Sequence, residues 1–135
     1  MALQKHGFCY ISGHNIATDT IKTAFEATHR FHALPESAKQ DIKINPCHRG
    51  YIGFNTSTAV TSSVEKPFRP NYYESFMAMQ PVFSDHARWG TAIFGPNQWP
   101  ESLMPTFKTE VEDYYEAMEY LALELVQRLA VALGQ

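Results

Sequence analysis

The chain has 135 residues, of which 44% are hydrophobic and 19% charged, the size and balance of one packed domain rather than a disordered segment. Its net charge of −3 and the absence of any Lys/Arg cluster exclude the basic footprint of a nucleic-acid binder, and no apolar run approaches the roughly 20 residues that span a bilayer. Two cysteines, Cys9 and Cys47, make no disulfide framework, and Met1–His6 carries no secretory signal pattern, so a cytoplasmic protein is expected.

In chain order, Gly7-Phe8-Cys9-Tyr10-Ile11-Ser12-Gly13 is an aromatic and β-branched run bounded by glycines. It reads as a strand covered on both faces, which would bury Cys9 as an inert thiol. Thr18 or Asp19 can cap a following helix, with Ile21, Ala24, Phe25, Thr28 and Phe31 as its stripe. Leu34-Pro35 ends that helix, and Pro35 can open a short one through Ala38 to about Ile42. From about 55 to 71 the chain is rich in Ser, Thr and Asn with no helical stripe, which predicts a mobile surface loop. Tyr72 to Met79 reads as a second strand. After Gly95-Pro96, Phe107, Val111, Tyr114, Met118, Leu121, Leu125 and Leu129 repeat at steps of four and three. This predicts a long amphipathic helix over about 105–133, with Ser102 as cap and Gly134 in the left-handed closing position. One end of so long a stripe exceeds what a domain of this size covers and calls for a partner surface. The expected fold is α+β: short strands packed with two shorter helices and one long C-terminal helix, within a single domain or fragment over 1–135.

Few constellations carry chemistry. A non-haem iron site uses two histidines and a carboxylate on one face of the metal, and none of the six histidines begins a His-x-Asp or His-x-Glu pair. His29 and His32 lie three apart on a predicted helix, with Cys47 or His48 as a conceivable third ligand. No second spaced pair supports a metal there, and they read as ordinary histidines; no catalytic or metal residue is assigned. Cys47 beside His48 could have an activated thiol, yet sequence neighbours often point apart. Arg49-Gly50-Tyr51 is the more interesting group: arginine presents a planar fork suited to a carboxylate, and a nearby Tyr hydroxyl could orient one. The alternative is a structural Arg fixing its loop and a Tyr in the core.

The order of these motifs resembles the N-terminal region of the isopenicillin N synthase-like, 2-oxoglutarate/Fe(II)-dependent dioxygenases. Gly7-Phe8-Cys9-Tyr10 with Gly13-His14-Asn15-Ile16 is similar to the family's opening strand and turn, with the Asn and Gly exchanged about His14. Phe31-His32-Ala33-Leu34-Pro35 with Lys39, then Arg49-Gly50-Tyr51, Glu74-Ser75-Phe76, Asn97-Gln98-Trp99-Pro100 and Leu129 to Gly134, follow in the family's order. The resemblance implies a parent oxidoreductase whose C-terminal jelly-roll carries the iron triad and an Arg-x-Ser pair for 2-oxoglutarate. This chain then looks truncated at its C-terminus, and less clearly at its N-terminus. Fe(II) and 2-oxoglutarate would belong to the parent and no cofactor to these residues, which would support the jelly-roll and part of a small-molecule substrate pocket. Arg49 and Tyr51 become candidate substrate contacts by the same resemblance. Alone, the chain is expected to be inactive and to self-associate through the surface meant for the jelly-roll. The competing reading is a self-contained interaction module that docks through its long helix.

Overall fold

A computed structural model describes residues 2–57 and 70–134. The elements run α1 (Ala2–His6), α2 (Thr18–His32), α3 (Glu36–Gln40), β1 (Gly50–Ile52), β2 (Ser75–Met77) and α4 (Phe107–Ala132). The fold class is α+β, with the long helix at the C-terminal end as expected. Two compact units divide the chain, Met1–His29 with Thr109–Gln135, and Arg30–Lys108.

In the first unit the expected strand at Gly7–Gly13 does not form, and α1 precedes it instead. Phe8 is 70% and Tyr10 100% exposed, and Cys9 is exposed rather than buried. The physical reason is that an apolar run becomes a strand only when a neighbouring edge takes its backbone hydrogen bonds. No strand among the described residues pairs with it. Asn15 and Gly13 both take positive φ in the turn that follows. Helix α2 runs from Thr18, and the Ala17 carbonyl accepts from the Ile21 amide at 3.4 Å, so Thr18 and Asp19, the expected caps, both lie in its first turn, where the Asp19 carboxylate favours the helix dipole. Its buried face runs through Ala24 and Ala27 to Phe31, whereas Phe25, expected in the stripe, is 64% exposed. Along α4, Val111, Tyr114, Met118, Leu121 and Leu125 are half-buried. Toward its end Leu123, Val126, Val131 and Leu133 are exposed. The helix has 26 residues, about 39 Å at ~1.5 Å per residue, and Gly134 closes it with φ +80°.

The second unit is built on aromatic rings. Phe31 is fully buried, with Phe107 stacked on it at 5.2 Å, Phe76 at 5.0 Å and Tyr51 edge-on at 6.1 Å. Trp99 extends the cluster, 5.7 Å from Phe76 and 6.0 Å from Phe107. Such pairs contribute roughly 0.5–1.5 kcal/mol each beyond the area they bury. Helix α3 begins directly after Pro35, whose φ of −54° suits the entry. Strands β1 and β2 pair antiparallel with Gly50 opposite Met77, Tyr51 opposite Phe76 and Ile52 opposite Ser75. The second strand is therefore shorter than the sequence suggests. The predicted loop of 55–71 lies mostly outside the described residues. At its rim the Asn55 amide donates to the Asn71 carbonyl at 3.1 Å, and the Asn71 amide to the Ser57 carbonyl at 2.8 Å.

Candidate functional site

Arg49 owes its position to a tight turn. The Asn45 side-chain oxygen accepts from the amides of Cys47 (2.9 Å) and Arg49 (3.1 Å), the local bonding that makes Asn a turn residue. His48 completes the turn in the left-handed region at φ 57°. Gly50 follows at φ +113°, where an added Cβ would collide with the Ile42 carbonyl and the Gln98 amide, so only glycine lets β1 leave the turn here. The Gln98 amide donates to the carbonyls of Arg49 (2.6 Å) and Lys43 (2.9 Å), tying both sides of the turn to one side chain.

So held, the Arg49 guanidinium points inward and is 1% exposed. One terminal nitrogen donates to the Cys47 carbonyl (2.8 Å) and approaches the Met79 sulfur (3.0 Å); the other donates to the Ile93 carbonyl at 2.7 Å. Its Nε is buried with no hydrogen-bond partner among the described residues. These acceptors are carbonyls and a thioether, none of which carries formal charge. A buried cation ordinarily demands a closer counter-charge than that.

Tyr51, fully buried, sits in a separate network. Its hydroxyl lies 2.6 Å from Glu74 Oε2 and 2.9 Å from Glu36 Oε2. One phenolic proton serves one carboxylate at a time, and the shorter contact is to Glu74. Lys39, 5% exposed, donates from Nζ to the same Glu74 oxygen at 2.7 Å and to the His32 carbonyl at 3.3 Å. His32 Nδ1 faces the other Glu74 oxygen at 3.4 Å. Burial, then hydrogen bonding to the two carboxylates, pushes the Tyr51 phenol far above its ordinary range. For Glu74, burial favours the neutral acid, but the hydrogen bonds from Lys39 and Tyr51 outweigh it and lower the carboxyl pKa. Hydrogen bonds from Gln40 and Tyr51 likewise hold the Glu36 carboxyl low.

Arg49 and Tyr51 are thus neighbours in sequence with separate sets of partners. Lys39 and Glu74, present in the sequence motifs, were not marked as a site by spacing, since they come together across 35 residues. Asn97 was missed as well: its side chain accepts from the Met79 amide (3.1 Å) and donates to the Met79 carbonyl (2.8 Å). Cys47 is buried with its thiol against the Phe94 carbonyl at 3.9 Å, while His48 is exposed beside it. Among the described residues no group of three or more His, Cys, Asp or Glu side chains could hold a metal ion. Where His32 meets Glu74, the Lys39 ammonium lies 2.7 Å from the same carboxylate and repels a cation, so these residues do not fit an iron ion.

Among the described residues, the second unit thus combines a buried aromatic core, a short antiparallel ribbon and an inward-facing arginine. A family profile for the N-terminal region of non-haem dioxygenases, described for morphine synthesis, matches residues 1–102. The chain is 31% identical over 138 residues to homoarginine-6-hydroxylase 2-ODD-C23 of Glycine max, covering 98% of this chain and 39% of that protein. It is 33% identical to homoarginine-6-hydroxylase 2-ODD-C23.2 of Arabidopsis thaliana, over 95% of this chain and 34% of that protein. Against the 2-oxoglutarate-dependent dioxygenase caaD of Aspergillus niger it is 29% identical, over 98% of this chain and 40% of that protein. The chain belongs to the 2-oxoglutarate/Fe(II)-dependent oxygenase family and corresponds to its N-terminal region. It spans between about a third and two fifths of the length of these relatives.

Proposed function

We propose that this chain is the scaffold and substrate-side portion of a cytoplasmic 2-oxoglutarate/Fe(II)-dependent oxidoreductase that acts on a small molecule. Iron and 2-oxoglutarate bind on a C-terminal jelly-roll, and these residues are inactive without it. Arg49 is the candidate substrate contact, and Tyr51, held by Glu74, keeps the strand that follows it in place or contributes a second contact. The observation that carries this reading is a buried guanidinium that, among the described residues, has a spare Nε–H and no formal negative charge for a partner. A carboxylate supplies what is missing: charge, and a planar acceptor matched to the fork. The homoarginine hydroxylases among the relatives are named for an amino acid, which carries such a group.

The experiment is steady-state kinetics of the full-length enzyme with Arg49→Lys, which keeps the charge and removes the fork. KM for the substrate rises about tenfold, a loss of ~1.4 kcal/mol, with a smaller change in kcat and a folded protein by circular dichroism. An unchanged KM in a folded variant removes Arg49 from the substrate.

Exposed apolar residues in the first unit, Phe8, Tyr10, Leu123, Val126, Val131 and Leu133, support docking of the jelly-roll on this portion. The same residues suit the second reading, a self-contained module that binds a protein partner through α4. Reconstitution distinguishes them: the separately produced jelly-roll half restores 2-oxoglutarate turnover when mixed with this chain under the first reading, and does not under the second.

A further inference from the structure

Arg49, 1% exposed, donates to the Ile93 carbonyl at the end of an exposed segment that has few ties to its surroundings. Residues 83–93 are all exposed, yet the segment is ordered by its own contacts. The His86 ring stacks on Phe94 at 5.1 Å and the Arg88 guanidinium lies 4.1 Å from the same ring. The Gly90 amide donates to the Phe94 carbonyl (2.7 Å) and the Phe94 amide to the Thr91 carbonyl (2.8 Å). Among the described residues, two hydrogen bonds leave this segment: Arg49 to the Ile93 carbonyl, and the weak thiol contact from Cys47 to the Phe94 carbonyl at 3.9 Å. Gly95 then seats its backbone against the Cys47 side chain so closely that a Cβ there would lie 2.7 Å from the sulfur.

The base of the segment, by contrast, is fixed. Asn97 clamps both backbone groups of Met79, so the chain leaves and returns at one anchored point. Between the anchor and the self-packed tip lie Pro81 on one side and Gly95-Pro96 on the other. Ala92 is held at φ 43° next to Ile93, a left-handed conformation that a residue with a Cβ adopts at a cost. An anchored base, a tip that packs on itself and a weakly tied contact face are the ingredients of a segment that moves as a unit.

We propose that residues 80–96 form a strap over Arg49, with the Ile93 carbonyl as a stand-in acceptor, and that opening the strap presents the guanidinium fork to the carboxylate of the incoming substrate. This rests on the reading of Arg49 as the substrate contact and adds how a residue 1% exposed is reached. Opening removes one hydrogen bond from the terminal nitrogen next to the free Nε, so the two donors a carboxylate needs become available together.

The test is labelling of the full-length protein with an arginine-selective dicarbonyl, phenylglyoxal, read residue by residue by peptide mass spectrometry. The Gly95→Cys variant gives the control: its Cβ would lie 2.9 Å from that of Cys47, about 0.6 Å inside the disulfide range, so after a small outward shift oxidised glutathione locks the strap and dithiothreitol releases it. Arg49 labels roughly tenfold more slowly in the oxidised variant than in the reduced one, while exposed Arg128 labels equally in both. Equal labelling of Arg49 in the two states, or none in the wild type, overturns the proposal. Should the variant fail to fold, alkylation of the buried Cys47 thiol in the wild type decides, since Gly95 and the Phe94 carbonyl cover it. Iodoacetamide in native buffer labels Cys47 much faster than the Ile44 and Tyr51 amides exchange if the strap opens, and no faster than they do if it does not. An unchanged KM for Arg49→Lys would remove the substrate contact and leave the strap standing; equal labelling would remove the strap and leave the contact standing.

Discussion

The residues around Phe31 and Tyr51 and the residues along Phe8–Ile11 and the end of α4 use similar side chains to opposite ends. In the first region aromatic rings interlock, and among the described residues the buried side-chain nitrogens and oxygens without a hydrogen-bond partner are two, His32 Nδ1 and Arg49 Nε. In the second, Phe8, Tyr10, Val126, Val131 and Leu133 face solvent. Hydrophobicity by itself does not say which will happen. The rings of the first region converge because a helix end, a ribbon and a proline-led turn bring them together from distant positions. The apolar residues of the second lie on a single extended segment and on one helix, where no such convergence occurs. A saturated core specifies a structure; an exposed apolar surface specifies a partner.

Breaking the saturated region should therefore cost much and breaking the exposed one little. The largest effect is expected from Phe31→Ala, with a loss of about 3–5 kcal/mol in denaturant unfolding. Glu74→Leu should lose roughly 3–5 kcal/mol as well, because it leaves the buried Lys39 charge with only the exposed Glu36 carboxylate, 3.6 Å away, and adding Lys39→Met should recover most of that loss. If the double variant is no better than the single one, the network is held by something other than this pair. Gly50→Ala should follow at about 1–3 kcal/mol, from its φ and the carbonyl it would meet.

Acid sharpens the same contrast. Glu74 has a folded-state pKa below its ordinary value of 4.5, so its contribution is fully present above that value and is lost as pH falls through the lowered one. The stability gap between wild type and Glu74→Gln should be constant near neutrality and close in acid. A gap that widens on acidification would contradict the assignment. Tyr51 works in the opposite sense: its raised pKa gives stability present below its ordinary value of 10.0 and lost as the pH rises through the folded one. The smallest effect belongs to the exposed face. Leu123→Glu with Val126→Lys should change stability by less than ~0.5 kcal/mol each, while abolishing any concentration-dependent sedimentation of this chain. Self-association that survives both changes would place the contact surface elsewhere.

Periodicity made the helices readable because α2 and α4 carry long stripes, and Pro35 marks the start of α3. Composition misled at Gly7–Gly13, since pairing depends on an edge that local sequence does not describe. Phe25 fitted the spacing of the α2 stripe but faces solvent, whereas Ala27 is fully buried: small side chains mark a close approach that a hydrophobic stripe overlooks. Arg49 and Tyr51 stood out by chemistry and proximity, but their separate partners, Ile93 for one and Glu74 for the other, lie 44 and 23 residues away. Contacts of that range leave no local signal. Glycine at 50 was visible as a letter, while its reason, the Gln98 side chain packed against it, needed the fold.

The division of labour itself is most directly tested on these 135 residues alone, by titrating anaerobic Fe(II) and following release of carbon dioxide from labelled 2-oxoglutarate. Weak, substoichiometric metal and no release above background are expected. One tightly held equivalent of iron together with decarboxylation would contradict the account, because the chain would then supply the redox centre assigned to its partner.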